Sequence, residues 1–227
     1  MNKQNPQCVG FIMDGNRRFA RMHGKPDLAG HAAGKETFLE VIRWTEEVHI
    51  PHVIFYTFST ENWHRSQAEV EGLMTLFKEV ITSVGKDAQK RSFRLRFVGR
   101  RQDFSLEFQE DMNRLERETE QSEAASTVWL ALSYGGRAEI VDAVNAAIAK
   151  GEVVDEAGFA KLLYTAEMPD PDLIIRTGGE QRLSNFLPWQ SVYSELFFTD
   201  TYWPAFTKEE FTRILNAYAE RERRIGT

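Results

Sequence analysis

Cysteine is almost missing from this chain. Cys8 is the single one among 227 residues, which excludes an intrachain disulfide framework and a thiolate metal cluster and fits a reducing, cytoplasmic setting. A basic excess is missing too. Thirty-four acidic residues against 28 Lys and Arg leave a net charge of −6, the reverse of the footprint of a nucleic-acid-binding protein. No apolar run reaches the roughly 20 residues of a membrane-spanning helix, so a lipid substrate has to be reached from the aqueous side. Met1 to Gln7 is short and polar and does not read as a signal peptide. Linkers, low-complexity tracts and repeats are absent, which leaves one domain over 1–227. What is present suffices for a packed core: 42% of residues are apolar and 27% charged.

Short apolar runs alternate with amphipathic stretches. Cys8 to Met13, Val53 to Phe58, Phe93 to Val98, Val128 to Tyr134, Asp172 to Ile175 and Glu195 to Phe198 read as strands. Helical spacing predicts helices over about 35–48, from the Ser66/Glu69 capping pair through Ile81, over 106–120, 138–149 and 156–164, and after a Thr207/Glu210 cap. Pro51 stops the first of these. The pattern implies an α/β fold, a mainly parallel central sheet covered by helices on both faces. Ligands of such sheets bind beyond the carboxyl ends of the strands. Asp14, Ser59 and Arg176 stand there, whereas Glu195 opens its strand.

Two segments concentrate the chemistry. Asp14-Gly15-Asn16-Arg17-Arg18-Phe19 follows the first strand, and Arg176-Thr177-Gly178-Gly179-Glu180-Gln181-Arg182-Leu183-Ser184 follows the fifth. Glycine permits close backbone approach, amides at a helix start cradle phosphate, and arginine grips it bidentately. A carboxylate such as Asp14 suits magnesium, which prefers carboxylate plus phosphate oxygens. The plainer reading of each segment is a glycine turn with solvated arginines. Ser59-Thr60-Glu61-Asn62-Trp63-His64-Arg65 crowds functional groups directly after a strand, which favours a site over a polar loop. The Ser66/Glu69 cap accounts for Glu69 by itself.

Gly30-His31-Ala32-Ala33-Gly34-Lys35 approximates a phosphate loop but is one residue short, and Glu36 replaces the hydroxyl that would hold magnesium. A nucleotide-hydrolysing reading is rejected; His31 reads equally as a phosphate donor or a capping residue. Met168-Pro169-Asp170-Pro171-Asp172 is not the Asp-Asp-x-x-Asp box of trans-prenyl enzymes. The stripe Val70, Leu73, Met74 and Phe77 is core by default, with the lining of a hydrocarbon tunnel as the alternative. The charged end Glu220 to Gly226 reads as a solvated helix terminus.

Taken together, Met-Asp-Gly-Asn-x-Arg, Phe-Ser-x-Glu-Asn-Trp-x-Arg, Arg-Thr-Gly-Gly-Glu-x-Arg-x-Ser-Asn-Phe and Glu-Leu-x-Phe, in that order from Val9 to Gly226, resemble the cis-prenyltransferase family. The resemblance implies condensation of isopentenyl diphosphate with an allylic diphosphate, with farnesyl diphosphate expected as primer and an undecaprenyl or related diphosphate as product. It implies a hydrophobic tunnel and a homodimer in which Arg224-Ile225-Gly226 reaches the partner's site, and a product passed to a membrane. Asp14 would hold Mg²⁺ and assist departure of the allylic diphosphate, with Glu195 completing the metal site. Gly15, Asn16, Arg17, Arg18 and His31 would bind that diphosphate, with Phe19 near its chain. Arg176, Arg182, Leu183 and Ser184 would bind isopentenyl diphosphate. Ser59, Thr60, Glu61, Asn62, Trp63 and Arg65 would orient the reacting groups, Asn62 as a donor, since an amide is a poor base.

Three positions depart from the family pattern: Asp27 in place of an arginine, Gln181 in place of a histidine, and Thr57 in place of a smaller residue. Thr57 is expected to narrow the tunnel and shorten the product. Two other classes compete. A non-catalytic partner subunit of the same fold would lack the aspartate and arginine loop kept here. A phosphate-binding protein outside the family would need a hydroxyl where Glu36 stands.

Overall fold

The computed structural model describes residues 5–91, 93–120, 124 and 126–221; the Arg224-Ile225-Gly226 segment lies outside them. Among the described residues six strands, β1 (Cys8–Ile12), β2 (His52–Ser59), β3 (Phe93–Val98), β4 (Ser126–Tyr134), β5 (Leu173–Arg176) and β6 (Glu195–Phe198), form one sheet in the order β3-β4-β2-β1-β5-β6. Every neighbouring pair is parallel. β1 and β4 are buried along their whole length, as expected of central strands covered on both faces. The fold is a single α/β domain.

Among the described residues seven helices surround the sheet: α1 (Asn16–Met22), α2 (Asp27–Glu47), α3 (Gln67–Arg91), α4 (Leu106–Glu118), α5 (Gly136–Lys150), α6 (Glu156–Ala160) and α7 (Lys208–Glu220). The larger core lies on one face, where Phe11 and Phe55 of the sheet meet Phe38, Phe77, Trp203 and Phe211. On the other, Ile54, Trp129, Tyr134 and Ile174 pack with Phe186 and Leu187.

Three helices depart from the spacing-based expectation. α2 begins at Asp27, eight residues early, because Gly30, Ala32, Ala33 and Gly34 carry no apolar signal. Their smallness serves a helix crossing instead: a Cβ on Gly30 would lie 1.9 Å from the Asn16 carbonyl oxygen, and one on Gly34 would lie 2.3 Å from Asn16 Oδ1. α3 runs on to Arg91 because its buried stripe continues through Val84 and Ala88. α6 stops at Ala160, where the chain breaks into turns. β2 and β4 lose register twice near their ends, leaving Thr57 and then Ser133 without a partner. Such bulges re-aim side chains next to sites.

The chain leaves β1 toward β2 on one side and returns to β5 on the other. The loops after β1 and β5 therefore diverge, which opens a crevice between their carboxyl ends.

Candidate active site

Asp14 sits in that crevice. Its Oδ2 accepts from Arg176 Nη2 at 2.9 Å, its Oδ1 lies 3.1 Å from Arg18 Nη2, and Oδ1 also accepts the Gly15 amide at 2.6 Å. The Thr177 hydroxyl clasps the Asp14 backbone, accepting its N–H at 3.0 Å and donating to its carbonyl at 2.8 Å. Burial works against the ionised carboxyl. The hydrogen bond and charge of Arg176, the charge of Arg18 and the Gly15 amide outweigh it, so the Asp14 pKa is lowered. Gly15 has φ 101°, and a Cβ there would meet the Tyr202 ring at 2.7 Å; only glycine fits this turn.

Arg176 is 4% exposed. Its Nη1 donates to Ser184 Oγ at 2.7 Å and also to the Arg182 carbonyl, while its buried Nε has no partner. A guanidinium aimed by its neighbours with one donor left over is poised for an anion. Ser184 and Asn185 both hold left-handed backbone, φ 49° and 68°, a conformation that concentrates at functional sites.

The α1–α2 crossing sets the second cationic group. Arg17 Nε donates to Asp27 at 2.8 Å and Arg21 Nη2 at 2.7 Å, so Asp27, in place of the family's arginine, tethers arginines. Beside them Arg65 Nη1 pairs with Glu69 at 2.9 Å, and Arg17 lies 3.7 Å from the same carboxylate. Ser66 does accept the Glu69 amide, at 3.4 Å, but the Glu69 side chain turns to the arginines, so capping does not account for it. His31 belongs to α2, and its Nε2 is buried without a partner. Burial, then the nearby Arg65 charge, lowers its pKa to about 4; the ring is neutral at pH 7.

Asn62 Oδ1 accepts the Ser59 amide at 3.1 Å. That bond assigns the amide's orientation and occupies its oxygen, so a donor role would fall to its NH₂. Asp14, Asn16, His31, Ser59, Glu61, Asn62, Arg65, Arg176 and Ser184 all line one cavity of about 600 Å³. Its other wall is apolar: Met13, Phe38, Leu73, Leu76, Phe77 and Val80. Half of the anticipated α3 stripe, Leu73 and Phe77, thus lines a channel, and Thr57, re-aimed by its bulge, reaches the same space. A charged head opens into a hydrocarbon-lined body.

Other anticipated residues lie elsewhere. Glu195 pairs in register with Leu173, at the amino edge of the sheet, while Asp14 follows Ile12, which pairs with Arg176 at the carboxyl edge. Three residues of strand, roughly 10 Å, separate the two edges, and Glu195 is bonded to Arg221. Glu195 and Asp14 of one chain therefore do not meet. Trp63 donates to Ser133 Oγ at 2.8 Å and packs on Phe58 and Phe104; it braces the turn and does not line the cavity. Thr60 bonds to Glu61. Arg182 is 60% exposed on its side chain and paired with Glu180. Leu183 packs on the second core cluster, and Phe19 stacks on His23 at 4.3 Å. Sequence reasoning passed over Lys35, Tyr56, Asn185 and Thr177. The first three line the cavity; Thr177 and Asn185 stand inside the arginine-loop motif and Lys35 ends the phosphate-loop-like run, whereas Tyr56 carried no signal beyond its strand.

Among the described residues no cluster of three His, Cys, Asp or Glu side chains could hold a metal. Asp14 is held by Arg176 and Arg18, and the other carboxylate on the cavity wall, Glu61, is taken up by Asn185. That donor set fits Mg²⁺ only when phosphate oxygens supply further ligands, which is how this cation is usually held.

Fold and head group define an α/β enzyme for diphosphates with apolar tails. The family described as "Putative undecaprenyl diphosphate synthase" matches residues 12–226. An isoprenyl transferase of Fusobacterium nucleatum is 42% identical, over 100% of this chain and 98% of that one. A tritrans,polycis-undecaprenyl-diphosphate synthase (geranylgeranyl-diphosphate specific) of Thermoplasma volcanium is 43% identical, over 97% and 89% respectively. Lavandulyl diphosphate synthase from Lavandula x intermedia, solved in complex with dimethylallyl diphosphate, superposes with a TM-score of 0.92 at 30% identity, over 98% of this chain and 99% of that one. The chain belongs to the undecaprenyl diphosphate synthase (isoprenyl transferase) family of cis-prenyltransferases. Its reaction condenses isopentenyl diphosphate with an allylic diphosphate.

Proposed function

We propose that the allylic primer is farnesyl diphosphate and the product a cis-polyprenyl diphosphate of undecaprenyl or related length. The observation that carries this reading is the single cavity with arginines and Asp14 at its head and Phe38, Leu73, Phe77 and Val80 along its body. The allylic diphosphate sits against Asn16, Arg17, Arg18 and His31, with its tail along α3. Isopentenyl diphosphate sits against Arg176 and Ser184, with Arg182 swinging in from the surface.

Ionisation moves negative charge onto the leaving diphosphate, and fixed guanidinium groups stabilise it where it develops. Mg²⁺ bound by Asp14 and phosphate oxygens would supply further charge neutralisation. The Asn62 NH₂ orients the reacting groups. The proton lost next to the new bond goes to the departing diphosphate or to Asp14.

A second copy of the chain is supported by α5. Val141, Val144 and Ile148 lie on one helical face and are 54%, 42% and 70% exposed, an unusual apolar surface to leave in water.

The test is incubation of the pure protein with Mg²⁺, farnesyl diphosphate and labelled isopentenyl diphosphate. Chain extension is expected. A folded dimer that extends nothing would instead be a non-catalytic partner subunit. Thr57→Ala is expected to shift the product profile to longer chains; an unchanged profile removes Thr57 from length control.

A further inference from the structure

Asn185 is the point where three loops of the sheet's carboxyl edge are tied together. Its Nδ2 donates to Glu61 Oε1 at 2.8 Å, in the turn after β2. Its Oδ1 accepts the Arg137 amide at 2.9 Å, and its carbonyl accepts the Gly136 amide at 2.8 Å. These are the first amides of α5, which have no partner inside their own helix. Asn185 thus caps α5 from a distant loop while its side chain holds a carboxylate on the cavity wall. The packing admits nothing larger: a Cβ on Gly135 would lie 2.5 Å from Thr60 Oγ1 and 2.8 Å from Asn185 Nδ2.

The residue before it is Ser184, whose hydroxyl accepts from Arg176 and whose carbonyl accepts the Tyr56 hydroxyl at 3.2 Å. Two successive left-handed residues cost energy and persist only where the surroundings hold them. The bonds of Asn185 to Glu61 and to α5 are that hold. With them in place, Ser184 and Arg176 share one fixed geometry. With them gone, the loop relaxes and the Arg176–Ser184 pair drifts from any phosphate between them.

We propose that Asn185 is a positioning residue for the isopentenyl diphosphate subsite, acting through Ser184 on one side and Glu61 on the other. The inference rests on the assignment of Arg176 and Ser184 to isopentenyl diphosphate. It gives the loop after β5 a determinant of affinity that touches neither the departing diphosphate nor the growing chain.

The polarity of the Asn185–Glu61 bond supplies the test. Asn185→Asp retains tolerance of the left-handed backbone and the acceptor for Arg137, but sets two carboxylates against each other. Glu61→Gln retains an acceptor for the Asn185 amide. The double variant Glu61→Gln/Asn185→Asp rebuilds the bond with donor and acceptor exchanged. KM for both substrates, kcat and thermal midpoint are measured for the four proteins. Asn185→Asp is expected to raise KM for isopentenyl diphosphate about tenfold, with KM for farnesyl diphosphate within about twofold, and the double variant to recover most of that loss. Coupling of less than twofold between the two positions in KM for isopentenyl diphosphate, or an equal rise in both KM values, overturns the proposal. Failure of the unmodified protein to extend farnesyl diphosphate would instead count against the proposed function.

Discussion

His31 shows what a single side chain reveals once its surroundings are known. Its position beside Gly30 left a phosphate donor and a helix cap equally open. The structure half-buries the residue in α2 on the cavity wall, with Nε2 buried and unpartnered, which no spacing rule conveys. A base whose pKa folding lowers stabilises the native state fully above its unfolded value. That stability is lost as pH falls and the unfolded chain takes up a proton the native one refuses. For His31 the window runs from 6.5 down to about 4. Relative to His31→Asn, the parent protein is expected to lose about 3 kcal/mol across it, read from urea unfolding at stepped pH. Equal slopes for the two proteins would show the ring to be solvated. The place of Asp14 at the sheet's carboxyl edge was legible because an apolar strand runs straight into it, although an Asp-Gly turn was the plainer reading. Arg182 was not, since a motif does not say which of its arginines is buried, and Arg176 is the one with its side chain inside.

Elements were legible in proportion to their apolar periodicity. β3 and β6 have the bounds their sequences imply, Phe93–Val98 and Glu195–Phe198. The start of α2 was hidden because small residues carry no period, and the same smallness lets α1 and α2 cross with Gly30 against the Asn16 carbonyl. Gly30→Ala drives a methyl into backbone that cannot swing away. A loss of about 1–3 kcal/mol, or roughly 2–12 °C in thermal midpoint, is expected, with KM for the allylic substrate raised because Arg17 and Arg18 ride on α1. A variant with parental melting and KM would mean the helices can separate freely. The bulges at Thr57 and Ser133 were equally hidden, since an extra residue in one strand is visible only against its partner.

At the scale of the molecule, the alternation of strand and helix implied a covered parallel sheet, and the sheet is parallel throughout. Strand order was not readable; Glu195 already stood out in the sequence by opening its strand, and the parallel β5–β6 register sets that carboxylate at the far edge from Asp14. The exposed face of α5 also belongs to this scale. Ile148→Glu places a charge on a residue 70% exposed in the single chain, so it is expected to leave folding intact and shift the proposed dimer to monomer, as read by light scattering on a sizing column. A monodisperse dimer in that variant would move the interface elsewhere.

The strand order has a further outcome. β1 leaves the ribosome well before β5, yet β5 is one of its two sheet neighbours, with Leu173 against Val9. Asp14 and Arg176 stand 162 positions apart and bond directly. A nascent chain short of β5 has only Arg18 and the Gly15 amide beside its aspartate, and half a head group. Affinity for a pyrophosphate must therefore arrive abruptly, late in synthesis, when the central gap in the sheet is filled.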